Sequence, residues 1–168
     1  MKAALRIASG QLGDIRRDLA RRHPHASERV GFVAAAATAS AGRLLLLVHG
    51  YMPVADEDYV RSARVGAEIG SDAFRKALQW TYRSKSALIH IHTHHGRGTP
   101  GFSPVDLRSG GEFVPSFFAT VPRMPQGMVV LSDDSAAGLV WLAEDRAPVP
   151  IEGFSQVGSR YGHEWNRT

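Results

Sequence analysis

Cysteine is absent from the sequence. That absence removes disulfides, thiol nucleophiles and thiolate metal sites together, so any bound metal must be held by nitrogen and oxygen donors. It does not fix the redox compartment, because a cysteine-free chain tolerates either one. Long apolar runs are missing as well. The longest, residues 33–37 and 44–48, have the length of strands and fall far short of the roughly 18 residues that span a bilayer. Arg6, Asp14, Arg16 and Arg17 interrupt any candidate leader segment, so a cytoplasmic protein without a membrane partner is expected. Lysine is scarce, with 3 against 17 arginines behind a formal charge of +4. Arginine richness raises nucleic-acid binding as a rival reading. The densest group, Arg16, Arg17, Arg21 and Arg22, is interleaved with Asp14 and Asp18 and has no aromatic platform, which describes a solvated helix face better.

The 168 residues suit one ordinary domain, and 43% apolar content with 17 Gly and 9 Pro describes a globular chain rich in turns. Leu12, Ile15 and Leu19 recur at helical spacing and predict a helix over 11–23, ended by Pro24. Strands are expected at 30–38 and 43–52 around a Ser40-Ala41-Gly42 turn, with a further one at 59–65. A second helix over 71–82 starts at Ser71 as N-cap and carries Phe74, Leu78 and Tyr82 on one face. Residues 87–93 read as a strand and 96–104 as a loop, and Ser103-Pro-Val-Asp106 opens a short helix with Pro104 at its first position. Residues 127–132 and 137–143 read as a hairpin around Asp133-Asp134. The order of elements predicts an α+β (α/β/α) fold with a mixed sheet, occupying 1–147 and followed by an extended tail, 148–168.

The chemistry concentrates in His92-Thr93-His94 followed, after eight residues, by Ser103-Pro-Val-Asp106. Histidines at i and i+2 of a strand project from the same face, so both can reach one ion at about 2.0–2.1 Å. A glycine-rich loop can return Asp106 as an anionic third ligand. Three ligands of this kind leave a tetrahedral position open for water, the layout of a catalytic zinc site. His90 shares the same face and is the competing third ligand, although it lies about 6.5 Å further along the strand and suits a cleft wall better. Hydrolysis also needs a proton acceptor, and Glu28, just before the apolar Val30-Gly31-Phe32-Val33 run, is the candidate base. His23, His25, His49 and His163 have no such neighbours, and Trp80, Trp141 and Trp165 read as packing residues.

His92-Thr-His94 with Ser103-x-x-Asp106 and an upstream Glu28-Arg-Val-Gly-Phe resembles the JAB/MPN/JAMM metallopeptidases, above all the small prokaryotic deubiquitinase-like members, over roughly residues 28–142. The His94–Ser103 spacing is one residue longer than the family's usual pattern, and His95 stands where a proline is common. The resemblance implies a single MPN/JAB-like (cytidine-deaminase-like) domain with a mixed, curved sheet flanked by helices. It implies one zinc ion on His92, His94 and Asp106, with Glu28 as general base and Ser103 as oxyanion donor. The implied substrate is a ubiquitin-like modifier, cut after its flexible C-terminal Gly-type tail during deconjugation or precursor processing. The implied setting is a bacterial conjugation or antiviral operon with E1-like and E2-like partners. A non-catalytic MPN-like scaffold is the rival within the same resemblance, and a three-His hydrolase using His90 lies outside it.

Overall fold

A computed structural model describes residues 1–62 and 66–158. In chain order the elements are β1 (Lys2–Ala8), α1 (Ser9–Leu19), β2 (Val30–Ser40), β3 (Arg43–Pro53), α2 (Ser71–Ser84), β4 (Ala87–Thr93), α3 (Pro104–Thr120), β5 (Gln126–Leu131), β6 (Ala136–Trp141) and β7 (Val149–Val157). The β2–β3 hairpin turns on Ala41 and Gly42, both at positive φ, as a tight two-residue connection demands. The seven strands close into a mixed barrel in the order β1-β3-β2-β4-β5-β6-β7. Closure comes from β1, which pairs in parallel with both β3 and β7.

This barrel overturns the expected architecture. The α/β/α arrangement of an MPN/JAB-like (cytidine-deaminase-like) domain, an open mixed sheet flanked by helices, is not what the chain forms. The reason lies in two strands absent from the sequence reading. β1 alternates buried Ala3, Leu5 and Ile7 with outward neighbours, and β7 arises where an extended tail was expected from Pro148 onward. Together they supply the edge-to-edge pairing that turns a sheet into a barrel. The strand expected at 59–65 is reduced, among the described residues, to an isolated bridge between Tyr59 and Ile69, and 63–65 lie outside them. The rest of the expected tail, 159–168, with His163 and Trp165, also lies outside the described residues. No described helix is long and apolar enough to cross a membrane.

Two apolar clusters occupy the two sides of the barrel wall. Inside, Leu5, Ile7, Val33, Leu46, Ile89, Val129 and Val140 meet one another, and Ile15 and Leu19 of α1 join them. Outside, Phe32, Leu88 and Val30 meet Ala73 and Ala77 of α2 and Val114, Phe117 and Phe118 of α3. Strands β2 and β4 are therefore buried on both faces, which explains why 30–35 reads as a continuous apolar run. The helix α3 runs for 17 residues, well beyond the short helix expected, despite Gly110, Gly111 and Pro115. Burial of Val114, Phe117 and Phe118 offsets the propensity cost of those residues.

One buried cation ties the layers together. Arg29 is 2% exposed, donates to the carbonyls of Arg21 and Arg22 at 2.8 and 3.0 Å, and pairs with Asp56 at 2.8 Å. It thereby anchors the segment after α1 to the entrance of β2. Arg29→Ala leaves both carbonyls without their donor and opens a void, so it is expected to cost about 2–4 kcal/mol. Urea unfolding at pH 7 measures this, and a change within about 0.5 kcal/mol would contradict the anchoring role.

Candidate metal centre

Alternation along β4 sends Ile89 and Ile91 into the barrel and His90 and His92 toward the helical layer. The amide of His94 donates to the Leu131 carbonyl at 2.8 Å, so the ladder with β5 persists past the end of β4. The His92 and His94 ring centroids consequently lie 5.0 Å apart. The third group comes from the first turn of α3. Ser103 caps this helix: its hydroxyl accepts the Asp106 amide at 3.1 Å, while the Asp106 carboxylate accepts the Ser103 amide at 2.7 Å. The same carboxylate approaches His92 Nε2 at 3.5 Å and His94 Nε2 at 3.4 Å.

One ligand atom from each of His92, His94 and Asp106 lies within 4.8 Å of the others, so this group could hold a metal ion. His92 supplies the test of fit. It is 3% exposed, and both of its ring nitrogens are shielded from water without a hydrogen-bond partner. The Asp106 oxygen at 3.5 Å is too distant to satisfy Nε2. An orphaned imidazole nitrogen facing a carboxylate and a second imidazole is what a cation would satisfy. Burial opposes ionisation of Asp106, but the neighbouring His92 and the Ser103 amide outweigh it and hold the carboxyl well below its usual range. The Asp106 carboxylate is therefore an anionic donor at neutral pH.

His90, the competing ligand, stands outside this three-residue group. Its ring packs against Phe32 at 5.6 Å and Phe113 at 5.2 Å, with His92 5.6 Å away. Burial, reinforced by His92, pushes its pKa down to about 3, so it is a neutral wall residue. Glu28 lines the same cavity of about 710 Å³ as His90, His92 and Asp106. The β2–β4 register explains this, because Val30 lies opposite His92 and Glu28 comes two residues earlier, near the level of His94. The amides of Ser27 and Glu28 both donate to the Gly66 carbonyl, and a Cβ on Gly66 would fall 2.6 Å from the Glu28 carboxyl carbon. The Glu28 carboxylate has no hydrogen-bond or ion-pair partner among the described residues. Ser103 is not among the residues lining the cavity, and its oxygen is engaged by its own helix.

Glu68, Arg108 and Glu112 also line the cavity and were not anticipated. Positions 105, 108, 109, 112 and 113 share one face of α3 at helical spacing. That signal is legible once α3 is given its full length.

Comparison with protein-family models and with curated proteins gave no match. Among solved structures, the chain is similar to the Trichoplax adhaerens STIL N-terminal domain at 9% identity and a TM-score of 0.40, covering 82% of this chain and 40% of that one. The chain thus spans less than half of that structure's length, and a likeness this loose carries no functional argument.

Two measurements check the centre. Zinc titration by calorimetry should give one site per chain, weakened at least about 100-fold by His92→Ala or Asp106→Ala and left near wild type by His90→Ala. The reverse pattern would move the third ligand to His90. The second concerns acid stability. His90 stays neutral in the folded chain down to about pH 3 but takes up a proton near pH 6.5 when unfolded. Its stabilising contribution is complete above pH 6.5 and is lost as pH falls toward 3. In metal-free protein, His90→Leu should flatten the loss of stability between pH 6.5 and 4 by up to about 1.4 kcal/mol per pH unit. Parallel urea-unfolding curves for the two proteins would refute it.

Proposed function

We propose that the protein is a zinc-dependent peptidase or isopeptidase that hydrolyses an amide bond at the exposed tail of another protein. One observation carries the reading: the orphaned His92 imidazole converges with His94 and Asp106, while the unpartnered Glu28 carboxylate opens onto the same cavity. A zinc ion held by His92, His94 and Asp106 would supply Lewis acidity toward a carbonyl oxygen and lower the pKa of water to about 7. Glu28 is placed to accept the proton of the attacking water and to return it to the departing amine. The Gly66 carbonyl, by taking the Ser27 and Glu28 amides, fixes the backbone from which that carboxylate reaches. Ser103 retains a hydroxyl proton after accepting the Asp106 amide, but it stands outside the cavity lining, so its role as oxyanion donor rests on the motif resemblance alone.

The substrate we infer is the flexible C-terminal tail of a ubiquitin-like protein, joined to a target or to its own precursor extension. Support comes from the motif resemblance and from the cavity's charge. Glu28, Glu68 and Glu112 face it together with Asp106, against the single guanidinium of Arg108. Such a cleft favours a tail carrying basic residues.

The test is cleavage of a ubiquitin-like fusion with a Gly-Gly tail by the zinc-loaded chain. Glu28→Gln should keep the metal and lose about 10²–10⁴-fold in kcat. Gly66→Ala, which crowds the Glu28 carboxyl group, should lower kcat about 10- to 100-fold with zinc affinity unchanged. Full turnover in Glu28→Gln would remove Glu28 from the chemistry. A zinc-loaded chain that binds but never cuts such tails would favour a scaffold.

A further inference from the structure

The outer wall of the barrel is covered on one half only. Helices α2 and α3 pack on Val30, Phe32 and Leu88 of β2 and β4, whereas α1 sends Ile15 and Leu19 to the interior cluster. Among the described residues no helix covers the outward side chains of β7, β1, β3 and the second half of β2. The strand registers set these side chains in rows. Ala36, Leu47, Arg6 and Ser155 stand side by side across the four strands, and Thr38, Leu45, Ala4 and Gly153 form the row beside them. A Cβ on Gly153 would meet that of Ala4 at 3.6 Å, so both positions point the same way. Leu47 is 42% exposed, and Val157, paired with Ala8 on the same face, is 47% exposed. The face ends where α2 begins, at Trp80, whose ring a Cβ on Gly50 would meet at 2.6 Å.

Shape and charge together say what would cover this face. Strands β1 and β3 are each paired along both edges, so no further strand can be added here and a partner must lie across the face. Small side chains dominate the rows and let a helix backbone approach closely, as α2 does on the covered half through Ala73 and Ala77. The charge has one sign over most of the face. Arg6 sits in the row of Leu47, and Lys2 and Arg43 stand opposite each other beyond Ala4 and Leu45. Among the described residues Arg6 and Arg43 meet no carboxylate, while Lys2 lies 3.8 Å from Glu152. Two copies joined through this face would set these cations against one another. The rows carry no aromatic ring on which a nucleobase could stack. We propose that the face docks an amphipathic helix of a partner protein, one whose apolar stripe is bordered by carboxylates.

The probes are two fluorescent, hydrocarbon-stapled helical peptides of about 18 residues, five turns each. Both carry a leucine stripe, bordered by glutamates in one and by lysines in the other. By anisotropy, the full, zinc-loaded chain should bind the glutamate peptide saturably, at least about tenfold more tightly than its lysine twin, with the gap narrowing as salt is raised. Arg6→Glu should remove or reverse that preference. Leu47→Asp should weaken the glutamate peptide at least about tenfold. Neither residue lines the metal-bearing cavity, so zinc affinity should be unchanged in both variants. If Leu47→Asp does not fold, the charge preference of Arg6→Glu decides alone. Equal affinity for the two peptides, absence of saturable binding, or binding unmoved by both substitutions would overturn the proposal. Dimers of the free chain that Leu47→Asp dissolves would assign the face to a second copy and overturn it equally.

Discussion

The antiparallel register of β2 on β4, with Val30 opposite His92, is the constraint from which the site follows. Side chains alternate strictly along a strand, so this register sends His90 and His92 outward and Ile89 and Ile91 inward in one stroke. A slip of one residue would turn the imidazoles into the barrel and the isoleucines toward the helical layer. The same pairing brings the chain before Val30 to the level of His94, and so delivers Glu28 to the cavity. Helices α2 and α3 then cover an apolar outer face that would otherwise meet water. Without that cover His92 would be solvated and its nitrogens would need no other partner.

Asp106 shows how local and long-range demands meet on one side chain. As the third residue of α3 it closes the capping box with Ser103, and a carboxylate there is favoured by the helix dipole. Those two bonds fix the carboxylate with no ion present. As a donor to an ion the carboxylate would be oriented by its own helix, a form of preorganisation that needs no additional side chain.

Much of this centre was legible in the sequence because its signals are local. His92 and His94 follow from period-two alternation, and Ser103-Pro-Val-Asp106 spells a helix start. Glu28 was picked out by its place just before the apolar run that starts at Val30, and the family resemblance added to it, but its delivery to the site depends on the register between distant segments, which no local pattern states. The architecture was misread for related reasons. Ala3, Leu5 and Ile7 alternate as a strand should, but seven residues beside an amphipathic helix carry little weight until their partners are known. β7 contains Pro150 and Gly153, residues that argue against a strand; Pro150 precedes the ladder with β1, which starts at Ile151, and Gly153 follows the register shift in that ladder. In α3, Gly110, Gly111 and Pro115 mask a helix whose length is decided by tertiary burial.

Closure of the barrel through β1 and β7 has a consequence for how the chain acquires its shape. Ala3 meets Ile151 and Ala8 meets Val157, contacts separated by nearly the whole described sequence. During synthesis β1 can dock on β3 early, yet one of its edges stays open until residue 157 has left the ribosome. The nascent chain thus carries one open edge of β1 throughout synthesis of the segments between β3 and β7, the kind of edge that invites pairing with another chain.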